Sequence, residues 1–300
     1  MMESLAARIQ HLLPQHTLTA LVYRLMRCRN RWIKNSLIKI IGTLAGINID
    51  EAKSPDRDDY ACFNDFFTRE LKEGARPLDA RDLSLLSPCD GRISEAGVLH
   101  GDRILQAKGK DYRLQALLAD DPSCETLTGG TFFTIYLSPR DYHRVHMPVR
   151  GKLLRMIHVP GKLFSVAPYT VRQIPDLFAR NERVICVFDT AWGPLAQVLV
   201  GAMLVGSMET VWAGEVTPSK RKSISRWSYD DENIVLERGQ EMGRFNMGST
   251  VIVAMPSGML SGDTAWPVSG RSVLMGQSLA LMNPDSKMRS KPLSFTGADP

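Results

Sequence analysis

Apolar positions repeat along this chain first with a helical period and then with a strand-like one. Over residues 18–44, Leu18, Leu21, Val22, Leu25, Trp32, Ile33, Ser36 and Ile40 fall on one side of a helix at i, i+3, i+4 steps. Arg24, Arg27, Arg31 and Lys34 fall on the other, while Arg29 and Lys39 interrupt the pattern with stems long enough to snorkel. Residues 50–59 are polar and charged and read as a linker, and a short helix is expected over 63–71, closed by turns at Gly74 and Pro77. From Ser87 onward, short runs rich in β-branched and aromatic residues alternate with Gly and Pro, at 130–137, 183–188, 196–205, 210–216 and 249–254. That rhythm predicts an α+β chain: a mainly antiparallel β core, sandwich or barrel-like, preceded by amphipathic N-terminal helices. No βαβ alternation and no glycine-rich loop after a strand is present, which disfavours a nucleotide enzyme.

Composition is ordinary for a globular protein, but the charge is not evenly spread. Residues 1–50 hold seven basic and two acidic side chains, while the other 250 residues carry 30 of each. The entire net charge of +5 therefore sits in the amphipathic segment. Basic charge interleaved with apolar surface suits the headgroup region of an anionic membrane, at about 1 kcal/mol per basic residue. A nucleic-acid arm would lack the apolar stripe, so no nucleic-acid partner is expected. A helix packed on the domain with a solvated basic face is the plainer alternative. Residues 190–208 are uncharged, but Gly193, Pro194, Gln197, Gly201 and Gly206 interrupt them, as in buried strands joined by turns. The N-terminus lacks a signal-peptide layout. The five scattered cysteines form no C-x-x-C pair, so neither zinc nor a disulfide framework is indicated.

Three stretches could carry chemistry. They are Asp90-Gly91 at a tight turn, His143 and His146 three apart after a strong strand, and Gly248-Ser249-Thr250 at the entrance to an apolar run. Singly, each has a bland reading: a turn, half of a metal site without further ligands, a commonplace triplet. Nor does the presence of an acid, a histidine and a serine establish a triad.

Together and in order they resemble the bacterial phosphatidylserine decarboxylases. The likeness runs over about residues 60–254 through FNDFFTRELKEGARPLD, SPCDGRI, IYLSPRDYHRVHMPVRG, HVPGKLFSVAP, LFARNERVICVFDT, VGAMLVGSMETVWAG and RGQEMGRFNMGSTVI. Two departures occur: Met247 stands where the family usually has leucine, and Asn246 where lysine is common.

The resemblance implies a precursor that cuts itself between Gly248 and Ser249, giving a large chain 1–248 and a small chain 249–300 that remain together. Ser249 is then the nucleophile, His146 its base, and Asp90 the group orienting His146. Residue 249 becomes a covalent pyruvoyl group, replacing pyridoxal phosphate and needing no metal. Its ketone forms a Schiff base with the serine amine of phosphatidylserine, carbon dioxide leaves, and phosphatidylethanolamine is released. His143 is implied as proton donor in turnover, and Tyr136, Phe164 and Ser165 as lining of the lipid pocket. The corresponding layout is a membrane-associating segment 1–50, a β-rich catalytic domain 51–275 and a mobile tail 276–300. The expected location is peripheral, on the cytoplasmic face of the cell membrane, with homo-oligomerisation left open. The rival reading is a triad serine hydrolase acting in trans, although no G-x-S-x-G surrounds Ser249.

Overall fold

A computed structural model of the chain describes residues 7, 9–204, 207–219, 221–262 and 267–287. The amphipathic segment is two helices rather than one, α1 (Gln15–Met26) and α2 (Arg31–Ala45). The expected continuous helix breaks because Asn30 caps a new one: its Oδ1 accepts from the backbone N–H groups of Trp32 and Ile33. Met26 and Ile38 turn inward onto Tyr60, Phe63, Phe66 and Phe67, the last three from α3 (Phe63–Phe67). The helix expected over 63–71 is thus shorter than its pattern suggested.

Most of the apolar stripe predicted from sequence faces outward, although Val22 packs inward on the Met26–Phe66 cluster. Trp32 is 85% exposed, and Leu21, Leu25, Ile33, Ile40 and Leu44 are exposed with it. Part of the basic side turns toward the protein instead: Arg27 pairs with Glu215 at 2.7 Å, and buried Lys34 donates to the Arg57 carbonyl at 2.7 Å. Arg24, Arg29, Arg31 and Lys39 remain exposed. Among the described residues no helix is long and apolar enough to cross a membrane.

The remaining chain is mainly β. Its strands are β1 (Ser84–Leu86), β2 (Gly91–Val98), β3 (Arg103–Ala107), β4 (Lys110–Arg113), β5 (Thr131–Tyr136), β6 (Arg144–His146), β7 (Gly151–Val159), β8 (Arg183–Thr190) and β9 (Gly193–Val200). They continue with β10 (Met208–Thr210), β11 (Gly214–Thr217), β12 (Ser225–Ser228), β13 (Val235–Leu236), β14 (Glu241–Phe245), β15 (Thr250–Met255), β16 (Ser272–Val273) and β17 (Ser278–Leu281). A nine-stranded sheet runs β12-β7-β8-β9-β15-β5-β2-β16, with β13 also on β7, and a four-stranded sheet runs β11-β10-β14-β6. All these pairings are antiparallel. The large sheet ends on two edges instead of closing into a barrel, so the fold is α+β with antiparallel sheets.

Both faces of the large sheet are buried, which is why its central strands read as unbroken apolar runs. Along β8, Val184, Cys186 and Phe188 join one core cluster while Ile185 and Val187 join the other; Val251 and Val253 alternate with Ile252 and Ala254 on β15 in the same way. The first cluster also takes Val145, Met208, Met242 and Phe245 from the four-stranded sheet.

The tail does not begin at residue 276 as expected. Gln277 bonds to the backbone of Ser87, and β17 pairs with β1. Periodicity misses this short pairing because its partner lies almost two hundred residues earlier. Residues 288–300 lie outside the described residues.

Candidate active site

β15 sits in the middle of the large sheet, with Thr250 opposite Tyr136 of β5 on one side and Val200 of β9 on the other. The Leu137 N–H donates to the Ser249 carbonyl at 2.8 Å, so Ser249 is pinned where this central strand begins. Ser249 is fully buried, and its Oγ has no hydrogen-bond partner.

The side chain brought against the preceding peptide is His143. A Cβ on Gly248 would lie 3.3 Å from His143 Nε2 and 3.4 Å from the Leu137 carbonyl oxygen, so glycine keeps this approach open. The ring is held from its other side. Nδ1 lies 2.7 Å from the Asp141 carbonyl, which can only accept, so Nδ1 carries the proton and Nε2 presents its lone pair. Phe67 of α3 packs on the ring at 4.1 Å between centroids. Complete burial, with a smaller contribution from the Arg69 guanidinium, pushes the His143 pKa down to about 3 despite the Asp141 bond. The imidazole is therefore neutral near pH 7, and its buried Nε2 is also without a partner. Two unsatisfied polar atoms in one small region are unusual in a folded core and mark a place where chemistry or ligand is expected.

Backbone geometry adds strain beside the same peptide. Met247 adopts φ +142°, a conformation that side-chain-bearing residues rarely hold and that costs about 1–3 kcal/mol. Its side chain packs against both the sheet cluster around Ile252 and the helical cluster around Phe66, which over-determines the position.

His146 and Asp90 do not complete a triad in this structure. His146 donates from Nδ1 to the Gly239 carbonyl at 2.8 Å, and its Nε2 accepts from the Tyr142 hydroxyl at 3.2 Å. Burial lowers its pKa. Asp90 is instead gripped by Arg76, whose Nε reaches Oδ1 at 2.9 Å and Oδ2 at 3.0 Å and whose Nη2 reaches Oδ2 at 2.6 Å. The Met275 N–H donates to Oδ1 at 2.8 Å, and Glu51 takes the other edge of the Arg76 guanidinium. The expected Asp90–His146 hydrogen bond is thus replaced by a two-pronged guanidinium pair, which offers a carboxylate more charge and better geometry than a neutral imidazole. The turn still matters: at Gly91, φ +156°, a Cβ would come within 2.4 Å of the Tyr136 carbonyl oxygen, so only glycine lets Asp90 enter here.

Of the expected pocket residues, Tyr136 lines a cavity of about 690 Å³ together with Leu44 and Ala45 of α2, Arg92, Arg140 and Pro168. Phe164 and Ser165 do not line it. They lie under the N-terminal segment, where His11 packs on Phe164 at 4.8 Å and Gln10 Oε1 accepts from the Ser165 N–H at 2.9 Å.

Sequence reasoning did not single out Phe67, Arg69, Arg76 or Tyr142. Arg69 is only 3% exposed, yet its Nε and Nη1 lack acceptors. A charged residue two positions after the aromatic run 63–67 was the one available hint.

A buried serine at a strand start, a neutral imidazole against the peptide before it and a strained residue one step upstream together have the character of an enzyme site. A family model described as phosphatidylserine decarboxylase matches residues 63–281, and one described as PSD matches residues 5–41. The phosphatidylserine decarboxylase proenzyme of Methylococcus capsulatus is 50% identical over 279 residues, covering 92% of this chain and 96% of that protein. The proenzyme of the same name from Bordetella avium is 52% identical over 273 residues (91% and 92%), and that from Dechloromonas aromatica 48% over 280 residues (93% and 98%). The chain belongs to the phosphatidylserine decarboxylase family.

Proposed function

We propose that the chain is the precursor of a pyruvoyl-dependent decarboxylase that converts phosphatidylserine to phosphatidylethanolamine at the cytoplasmic surface of an anionic membrane. The observation that carries this reading is the pair of buried, unpartnered atoms beside Gly248: Ser249 Oγ and His143 Nε2.

In the cut, Ser249 Oγ attacks the Gly248 carbonyl carbon while a base takes the hydroxyl proton, and the Gly248–Ser249 C–N bond gives way to an ester. Elimination then breaks the Cβ–Oγ bond of residue 249, leaving the large chain with a terminal carboxylate at Gly248. Hydration of the remaining dehydroalanine releases ammonia and leaves a ketone. General-base assistance in such a step is worth ~10²–10⁴-fold. A pyruvoyl ketone conjugated to an amide supplies an electron sink for decarboxylation. The uncrowded Gly248 carbonyl and the unpartnered Ser249 hydroxyl fit its formation.

For turnover, His143 is suited to move a proton next to residue 249. The ring is neutral while the site is closed, and a substrate carboxylate arriving beside it would favour its protonation. For the cut, His146 is the proposed base, which requires it to exchange Tyr142 for Ser249. A second reading has a specific observation behind it: His143 already faces Gly248 with a free lone pair and could serve both steps. The cavity beside Tyr136 suits the lipid headgroup, because Arg92 and Arg140 supply positive charge and Leu44 links its mouth to the outward apolar face of α2. That face, with its exposed basic neighbours, would rest on the bilayer.

Intact mass of the purified protein tests the reading. Two chains are expected, one ending at Gly248 and one beginning with a blocked residue 249, and Ser249→Ala should give a single uncut chain without decarboxylase activity. A single wild-type chain that nevertheless decarboxylates phosphatidylserine would overturn it.

A further inference from the structure

The residue on the N-terminal side of the strained Met247 is the end of a hydrogen-bond chain that begins on α1. Asn246 is buried, and its backbone N–H donates to the Ser207 carbonyl at 2.9 Å. Its Nδ2 donates to Ser207 Oγ at 2.6 Å, and its Oδ1 accepts from Asn64 Nδ2 of α3 at 3.0 Å. Ser207, itself buried, donates its hydroxyl proton to Glu215 Oε1. Glu215 in turn accepts from Arg27 Nη2 at 2.7 Å and from the Tyr23 hydroxyl at 2.9 Å, and the Arg27 guanidinium stacks over the Tyr23 ring at 3.7 Å. Arg27 also reaches Ser207 Oγ at 3.4 Å. With one donor and two acceptor sites in use, the Ser207 hydroxyl is saturated, so the link has a defined direction.

The N-terminal helices thus hold the loop before Gly248 in two ways. Polar contacts fix Asn246 through Arg27, Glu215 and Ser207, while the helical apolar cluster grips the Met247 side chain. A residue at φ +142° persists only where its surroundings over-determine it, and relaxation of either grip would let the loop swing the Gly248 carbonyl away from Ser249 Oγ.

We propose that Arg27, Glu215, Ser207 and Asn246 form a positioning relay through which helix α1 sets the rate at which the chain cuts itself. This makes α1 part of the maturation machinery and not solely a membrane-docking element. The inference rests on the proposed cut at Gly248–Ser249. None of the four residues touches the reacting atoms.

The test follows conversion of the newly synthesised full-length chain into its two products on a denaturing gel, for wild type, Glu215→Ala, Asn246→Ala, Arg27→Ala and Arg27→Lys. Conversion is expected to slow about tenfold or more for the three alanine variants, as befits loss of buried hydrogen bonds, charge-assisted in the cases of Arg27 and Glu215. Arg27→Lys, which keeps a cation within reach of Glu215, should recover most of the rate. Decarboxylation per pyruvoyl group, counted in the fraction that has been cut, should match wild type. Folding is checked by the melting temperature of each change in the uncut Ser249→Ala chain; Glu215→Gln, of the same shape, replaces any variant that melts early. Wild-type conversion rates in Glu215→Ala and Asn246→Ala would overturn the relay. So would turnover per pyruvoyl that falls in step with conversion, the mark of a merely structural role. Failure of the wild-type chain to be cut at all would instead sink the underlying reading of Gly248–Ser249.

Discussion

The N-terminal helical layer and the site around Gly248–Ser249 break opposite rules of packing. α1 and α2 leave large apolar side chains in water, with Trp32 and Leu44 more than four-fifths exposed, while their Arg27 and Lys34 are drawn against the protein. At the site the apolar groups are satisfied and polar atoms are stranded: Ser249 Oγ, His143 Nε2 and two nitrogens of Arg69 are buried without partners. Unpaired buried polar atoms cost about 1–3 kcal/mol each, and each large apolar side chain left exposed forgoes about 1.5–3 kcal/mol. Neither region is complete on its own. The helical layer calls for an apolar surface, and the site calls for a reaction or a polar ligand.

The sharpest way to probe the site half of this contrast is to remove its two histidines separately. His143→Ala is expected to be cut normally and then to lose turnover by ~10²–10⁴-fold, whereas His146→Ala should stay as one uncut chain. Carbon dioxide release and a denaturing gel read the two steps independently. Loss of cutting in His143→Ala alone would transfer the base role to the ring that already faces Gly248.

The helical half is broken by making its outer face polar. Replacing Leu25, Trp32 and Ile40 together by serine should weaken binding to vesicles containing phosphatidylserine by about a hundredfold or more, since each apolar side chain contributes about 1.5–3 kcal/mol when fully buried. Self-cutting should be unaffected, because these side chains point away from the loop. Flotation that is unchanged in the triple variant would remove α1 and α2 from membrane docking.

Asp90 separates a direct role from a structural one. In the uncut Ser249→Ala chain, Arg76→Gln should lower stability by about 3 kcal/mol, because it leaves the buried Asp90 carboxylate without a counter-ion, and Asp90→Asn by less, because Arg76 keeps its pair with Glu51. Denaturant midpoints measure this. If Asp90 acts mainly by anchoring Arg76, both changes should also slow cutting in the serine-containing chain. A direct partner of His146 would make Asp90→Asn alone the blocked variant.

The remaining contrast is in pH dependence. His143 has an ordinary pKa of 6.5 when unfolded and about 3 in the uncut fold, so the unfolded chain binds the proton more readily between those values. Stability should therefore rise with pH through this window and be lost as the solution is acidified from about 6.5 toward 3. His146, also lowered by burial, adds to the same slope. Urea midpoints of Ser249→Ala against Ser249→Ala with His143→Gln should show a shallower acid slope in the second. Parallel curves would contradict the neutral, buried imidazole.

Much of the protein could be read from residue order. The period of apolar positions located the helices and central strands, because a helix or strand with one buried side must repeat at 3.6 or 2 residues. The motifs around Asp90, His143, His146 and Ser249 pointed to the family to which the chain belongs. Other features were settled only by tertiary structure. Periodicity sorts residues onto a face but does not say which face turns inward; Phe63, Phe66 and Phe67 decided that by offering Met26 and Ile38 a buried seat. Spacing placed His143 and His146 within one segment, yet which ring meets Gly248 depends on the Asp141 carbonyl, Phe67 and Gly239, contributed by three separate stretches. A carboxylate's partner is whichever charge the fold brings nearest, and for Asp90 that was Arg76, not His146. Contacts such as Arg27 with Glu215, or β1 with β17, join residues some two hundred positions apart. Local sequence carries no trace of such pairs, since they are chosen by how the whole chain closes upon itself.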